Sequence, residues 1–527
     1  MKIRSVVFGV ILLCLTFAVC GCGSENDRLS KNELVYASTK DIRDINPHLY
    51  GGEMAAQAMV FEPLIYDTKD GIKPGLAESW EVSADGLSYT FHIRQGVKFT
   101  DGEDVNAEAI KLNIDAVCKN KERHAWLDMV NQIDHGEVMD AYTYRLVLKK
   151  PYYPTLKELA LSRPFRMISP KCFKDGDTKN GVNGYAGTGP YILTEHKDKQ
   201  YAIFTKNKDY WGDKAKIETI KWQVMPDSQT ILLALKKGEI DLLFGADGDM
   251  IDLDSFTALQ KEGKYAAMLS EPVASRAILI NAHRPISSDR QVREAFQYVV
   301  NKEGIANGVL NGTETVADTL LSPTVPYCNV ALETRTYDLE KAKQLLNAAG
   351  WSMNEDGYRY KNGKKMLVTL YFNSNNAQER TISEYIQSDM KAAGIELKII
   401  GEEKQAFLDR QKNGDFDLQY SLSWGTPYDP QSYLSSWRIP AHGDYQAQLG
   451  LEKKKWLDDE IGLTLVEPDK DKRQSRYNEI LTYIHQECVY LPLTYSRTKA
   501  VYTPKLKGVG FNLSQYEIPF EKMYFEK

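Results

Sequence analysis

The sequence predicts a mixed α/β fold, and two local patterns together with the chain length carry that prediction. Near the front, Tyr89, Phe91 and Ile93 alternate with Thr90, His92 and Arg94, the period-two pattern of a half-buried strand, and Tyr142, Tyr144, Leu146 and Leu148 repeat it. In the second half a strand, a helical stripe and a second strand follow one another, the β-α-β order of a parallel sheet. At 527 residues the chain is long enough for two or more packed lobes.

Taken in order, the first element is a processing signal. Lys2 and Arg4 form a basic start, Ser5 to Val19 is almost wholly apolar, and small residues follow. That stretch is short for a bilayer span, and no later apolar run is long enough to cross a membrane. The run Val19-Cys20-Gly21-Cys22 is similar to the cleavage and diacylation site of bacterial lipoproteins. Cys22 then becomes the lipidated N-terminus and 1–21 the signal peptide; ordinary cleavage nearby without lipid, or acylation at Cys20, are the competing readings. Residues 22–32 are polar and read as a tether.

The front section follows as strands with some helix. Asp85-Gly86 marks a turn, and Asn106 can cap a helix whose Ile110, Ile114 and Val117 share one face. Later, Asp338 can cap a helix with Ala342, Leu345, Leu346 and Ala349 inward, ended by Gly350. Asn362-Gly363 reads as a hairpin turn. Met366 to Phe372 is a strand, Ile382, Ile386, Met390 and Ala393 form a helical stripe, and Ile395, Leu397 and Ile399 begin the next strand.

Composition excludes several functions. The net charge is −6, and removal of 1–21 makes it more acidic, which argues against nucleic acid as a partner. Cys118, Cys172, Cys328 and Cys488 show no CxxC spacing, so neither a zinc nor a redox motif is supported, and their pairing stays open. The histidines show no zinc-ligand spacing and no HExxH. Asp247, Asp249, Asp252 and Asp254 resemble part of a calcium loop but lack the closing glutamate, and read as a solvated loop. There is no nucleophile elbow and no P-loop, so no enzyme is expected.

The segment 77–109, AESWEVSADGLSYTFHIRQGVKFTDGEDVNAEA, closely resembles the signature of the family 5 extracellular solute-binding proteins, which bind oligopeptides, dipeptides and nickel complexes. Further landmarks follow in order: Gly187-Thr188-Gly189-Pro190-Tyr191, Asn207 through Trp211-Gly212, Lys237 to Asp241, and Val292 to Ala295 with Asn301-Lys302. Within the family, NPHLY (46–50), RHAWL (123–127), SRPFR (162–166), WGTPYDP (424–430) and PAHGDYQAQ (440–448) are similar to the nickel-binding members. The resemblance implies a two-lobed fold of the periplasmic-binding-protein type II class with the ligand between the lobes. Lobe I is then discontinuous: 33–272, with an extra subdomain over about 60–190, and a return over 497–527. Lobe II is 273–496. It also implies an extracytoplasmic monomer, held at the bacterial membrane by its lipid, that delivers its ligand to ABC permease subunits with cytoplasmic ATPases. A chemosensory partner is compatible with that role.

What such a site needs follows from chemistry. A bare transition ion would gather three or four N, S or O ligands, and no such cluster is visible. Nickel or cobalt carried inside a small organic chelator needs fewer, because the chelator fills most positions. Its carboxylates suit arginine, whose planar fork donates two parallel hydrogen bonds and keeps its charge when buried. By resemblance Arg163 is the main anion clamp, with Arg123 beside it and Arg166 able to share the role. Trp126, Trp424 and Tyr428 are the aromatic walls, and Tyr50 and Met54 add lining. His442, in a stretch that reads as a mobile loop, is the candidate direct metal ligand; His124 reads as structural. No resident cofactor is expected. The alternative is an oligopeptide or dipeptide binder, which would call for an aspartate at the ligand's amino terminus.

Overall fold

The computed structural model describes residues 30–245 and 250–526. Cys22, the 1–21 signal, most of the tether, Asp247 and Asp249 lie outside the described residues.

The chain opens with strand β1 (Glu33–Ser38) and the short helix α1 (Met54–Val60). An antiparallel unit follows: β2 (Ala77–Val82), β3 (Ser88–Ile93), helix α2 (Ala107–Lys119), β4 (Ile133–Asp140) and β5 (Thr143–Leu148). The sheet order is β2-β3-β5-β4, with Tyr89 opposite Leu146 and Phe91 opposite Tyr144. Both strands bury every second residue, as their alternation predicts. Asn106 caps α2 by accepting from the Ala109 N–H, and Ile110, Ile114 and Val117 are buried. Helix α3 (Thr155–Leu159) then leads to the SRPFR stretch.

Next come β6 (Tyr191–Lys197), β7 (Tyr201–Lys206), β8 (Thr219–Val224), β9 (Leu242–Gly245) and the long β10 (Ala266–Ile280). Beyond β10, Asp338 caps the helix Leu339–Ala348. Asn362 and Gly363 both adopt positive φ, 52° and 74°, the paired left-handed geometry of a two-residue hairpin turn. The β-α-β unit is β11 (Leu367–Asn373), α4 (Ala377–Ala392) and β12 (Glu396–Glu402), with β11 and β12 parallel in register from Leu367↔Glu396. After β13 (Leu418–Leu422) come helices α5 (Gln431–Ser436), α6 (Gly443–Gln448) and α7 (Lys470–Glu487), then β14 (Tyr490–Tyr502).

One sheet runs through the molecule in the order β6-β7-β8-β1-β9-β14-β10-β13-β11-β12. Two lobes share it, each with its own core. One core gathers residues from Leu34 to Leu259 with Ala500 to Met523; the other gathers residues from Ile278 to Leu493. β10 and β14 pass from one to the other side by side. Their antiparallel pairing shifts register between Leu269 and Pro272, between Pro272 and Ala274, and between Arg276 and Ala277. A third core ties the antiparallel unit to the second lobe, joining Leu127, Tyr152 and Leu159 to Leu434, Trp437 and Tyr477. The ion pair of Arg276 and Glu314, 2.9 Å apart and almost fully buried, fixes the second lobe beside the crossing strands.

The structure differs from the sequence-based expectation at two places. The stretch around His442 is not a loop: it forms α6, with His442 at its N-cap. Six residues with so few apolar side chains give no helical period to read. Asp252 does not sit in a solvated calcium-like loop; its carboxylate accepts from the Ser255 N–H and caps the helix Leu253–Glu262.

Candidate functional site

Six separate stretches of chain meet around a cavity of about 310 Å³, lined by Tyr50, Met54, Trp126, Arg163, Trp424, Tyr428, His442 and Tyr516. The volume falls at the lower end of the ~300–1,000 Å³ seen for small-molecule sites. The first lobe and its antiparallel unit supply Tyr50, Met54, Trp126 and Arg163; the second lobe supplies Trp424, Tyr428 and His442. Tyr516 comes from the C-terminal segment after β14.

Rings form most of the wall. The Trp126 and Trp424 rings meet edge to face at 5.2 Å, and Trp424 lies 6.0 Å from the His442 ring. Tyr428 packs against Trp126 at 6.1 Å and Tyr516 at 5.9 Å, and burial pushes its phenol up to about 12. The polar ends of two rings are used up internally. Trp126 Nε1–H donates to the Tyr50 oxygen at 2.6 Å. The same Tyr50 hydroxyl shares a hydrogen bond with His124 Nδ1, also at 2.6 Å. His124 is fully buried, and burial together with the Arg123 charge lowers its pKa to about 4, which keeps the ring neutral. His124 therefore holds the wall in place from behind, the structural role its sequence position suggests.

The charge is on one side. Arg163 Nη1 donates to the Gly52 carbonyl at 3.1 Å, and its guanidinium stands 4.9 Å from the Tyr50 ring centre. Arg123 stands over the same ring at 4.7 Å. It is solvent-exposed and reaches the cavity only through that ring. Among the described residues, neither arginine has a carboxylate within ion-pair distance. Burial pulls the Arg163 pKa down, the mark of a cation held without its counter-charge. Arg166 differs: only 2 % exposed, it is ion-paired with Glu517 and bonded to the Phe61 carbonyl at 2.9 Å, so it has no free fork to share with a ligand. A larger cleft of about 470 Å³ lies on that side, lined by Asp67, Asp70, Glu517 and Glu521 as well as by Lys69, Lys73 and Arg166. Its charges are mixed in sign, whereas those of the smaller cavity are not.

His442 faces the cavity from the start of α6, and burial lowers its pKa despite the opposing Asp444. A neutral imidazole is the form that ligates a metal. Among the described residues, the one group of three His, Cys, Asp or Glu donors close enough to share an ion is Asp41, His196 and Asp198, none of which lines the cavity. The protein by itself therefore offers a metal in the cavity one good donor, not a full set.

Two supports were not legible in the sequence. Asp429 is buried with a carboxylate that accepts from Ser423 Oγ at 2.6 Å and the Gly425 N–H at 3.1 Å, folding the Trp424 loop back on itself; burial pushes its pKa up to about 7. Gly425 has φ +76°, and a side chain there would lie 2.6 Å from the Val273 carbonyl. Tyr516 donates to the Trp424 carbonyl at 3.1 Å, and Thr426 Oγ1 to the Leu513 carbonyl at 2.8 Å. No local motif announces Tyr516, because its partners lie far away in sequence. The bonds Arg163–Pro164, Thr426–Pro427 and Asp429–Pro430 are cis.

The sequence model of the bacterial extracellular solute-binding proteins, family 5, matches residues 71–445. The nickel-binding periplasmic protein of Escherichia coli (strain K12) is 41% identical over 516 residues, covering 97% of each chain. The dipeptide-binding protein of the same organism is 27% identical over 528 residues, 94% of each chain. The crystal structure of NikA from Brucella suis in complex with Fe(III)-EDTA superposes with a TM-score of 0.92 at 44% identity, covering 94% of this chain and 100% of that one.

Proposed function

The chain belongs to the family 5 bacterial extracellular solute-binding proteins, and from that premise we propose that it captures a nickel or cobalt ion already wrapped in a small anionic chelator and hands it to an ABC importer. One observation carries the reading: Arg163 presents a half-buried, uncompensated positive charge to an aromatic box with a single imidazole donor. Such a box suits a ligand that brings its own carboxylates and fills most of the metal's coordination positions itself. Arg163 grips the carboxylates, Trp126, Trp424, Tyr428, Tyr50 and Met54 cover the chelate's apolar faces, and His442 takes one open coordination position. Arg123 adds positive potential at the rim.

The likeness to a nickel-binding protein and to a structure holding a chelated metal ion supports this choice over a peptide. So does the lining, which among the described residues contains no carboxylate for a peptide's amino terminus, while the dipeptide-binding relative is the more distant of the two. We read 33–272 as lobe I with its subdomain over about 60–190, 273–496 as lobe II and 497–527 as the return. The division is supported by Pro272 pairing with Arg497 where β10 and β14 leave one core for the other. A monomer tethered through a lipid on Cys22, outside the described residues, would hold the lobes beside the permease. Closure is then a population shift driven by contacts made in the closed form. The test is native mass spectrometry with elemental analysis of the protein purified without added metal. Nickel or cobalt together with an organic chelator is expected; a short peptide and no metal would overturn the reading.

Two moderate effects follow. His442→Ala weakens capture of the nickel–histidine complex about tenfold at pH 7.5, ~1.4 kcal/mol. Because burial holds the imidazole's pKa below its ordinary value, ligation is present at neutral pH and lost as protons claim the ring on acidification. Calorimetry from pH 5 to 8 should show that acid-sensitive part in the unmodified protein and not in the variant. Tyr516→Phe keeps the ring but removes the bond to the Trp424 carbonyl, and should cost about 1 kcal/mol of affinity, roughly fivefold. Unchanged affinity would remove Tyr516 from the account.

A further inference from the structure

We propose that Glu158 makes closure of the lobes a proton-consuming step, because its carboxyl is sealed where the antiparallel unit meets the second lobe, with no cation among the described residues paired to it. Glu158 lies on α3, at the edge of the antiparallel unit, and is fully buried. One carboxyl oxygen accepts from Tyr152 on its own side at 2.8 Å and from Ser432 Oγ, on α5 of the second lobe, at 3.1 Å. The other oxygen is buried without a hydrogen-bond partner.

The groups that face it give no relief. On its own side stand Tyr152, Asp128, whose negative field adds to the burden, and the Met129 N–H, which eases it slightly. From the second lobe comes Ser432; Arg438 pairs with Asp128 at 3.0 Å, across the same seam. Nearby, the hydroxyls of Tyr153 and Tyr477 meet across it, and the Arg473 guanidinium covers Tyr153 at 4.1 Å. Burial pushes the Glu158 carboxyl up to about 8, so the sealed form carries a proton at neutral pH. When the lobes part, Ser432 withdraws and water reaches the carboxyl, which returns toward the ordinary ~4.3 of a glutamate. Closing then takes up a proton between those two values. The sign is fixed: a carboxyl whose pKa is raised in the closed form favours closure as pH falls and opposes it as pH rises through about 8. Other buried carboxyls differ: Glu314 is balanced by Arg276, Asp429 draws its bonds from Ser423 and Gly425 in its own loop, and Glu62 draws its bonds from Tyr66, Tyr210 and Trp211 in the first lobe, so none of these three depends on the seam.

The inference goes beyond the choice of ligand, and its test separates the two. Calorimetric titration of the full chain with nickel–histidine at pH 6.5, in two buffers of different ionisation heat, counts the protons taken up. The unmodified protein is expected to take up about one proton more than Glu158→Gln, and its affinity relative to that variant should rise by up to tenfold per pH unit lowered between pH 8 and 5. His442 is present in both proteins, so its contribution cancels. Should Glu158→Gln fail to fold, the uptake by the unmodified protein decides alone, with no uptake counting against the proposal. If nickel–histidine gives no heat, the chelate reading fails but the seam does not: a dye pair placed across the lobes of the ligand-free chain should then report closer lobes at pH 5 than at pH 8.5, more so than in Glu158→Gln. Equal proton uptake, or superimposable pH profiles of the two proteins, would overturn the proposal.

Discussion

Arg163→Ala should weaken binding of the nickel–histidine complex by a factor of 100 to 1,000, about 3–4 kcal/mol, while leaving the melting temperature nearly unchanged. The asymmetry is the point of the experiment. Within the protein Arg163 donates to the Gly52 carbonyl and stands over one ring, and no carboxylate among the described residues pairs with it. Removing it costs the fold little, because a desolvated cation without a partner contributes little to stability. On the proposed reading, the same guanidinium pairs with a carboxylate of the bound chelate in a poorly hydrated box, where truncation would leave that anion unpaired. Arg163→Lys should recover part of the affinity, since it restores the charge without the planar fork. Calorimetry and a thermal melt on the same samples check both halves of this result. Equal losses of affinity and stability would reduce Arg163 to a structural residue.

Trp424→Ala is the second large effect, a loss of roughly 30- to 200-fold in affinity, about 2–3 kcal/mol. The indole is edge-on to Trp126 and close to His442, so its removal opens the wall where the two lobes meet. The loop itself should survive. Its path is held by backbone and side-chain bonds that do not involve the indole: Asp429 to Ser423 and Gly425, Thr426 to Leu513, and Tyr516 to the Trp424 carbonyl. The expected result is weaker binding with a near-native circular dichroism spectrum. Affinity within threefold of the unmodified protein would show that the ligand does not touch this wall.

The extent to which this molecule could be read from its sequence follows from where each signal sits. Strands β3 and β5, the β-α-β unit and the capped helices at Asn106 and Asp338 were legible because their periods, caps and turns are local. The meeting of Tyr50, Trp126, Arg163, Trp424 and His442 was not, since no period or spacing links residues so far apart; only the likeness to a family put them together. The same limit hid what distinguishes Arg163 from Arg166. Both lie in SRPFR, yet Arg166 is neutralised by Glu517 from the C-terminal return and Arg163 is not. Helix α6 was missed because six mostly polar residues carry no period. Glu158 gave no sign at all, because what makes it unusual is Ser432 on another lobe.

The central claim is that the cleft holds a metal by the outer surface of its chelate, through guanidinium charge and flat rings, with His442 as the protein's own contribution to the ion. The direct measurement is calorimetry on one preparation at pH 7.5 with three titrants: nickel chloride in chelator-free buffer, nickel premixed with histidine, and a dipeptide. Binding of the premixed complex, with far weaker heat from the bare ion and none from the dipeptide, is the predicted result. Tight binding of the bare ion, or of the dipeptide in place of the complex, would contradict it.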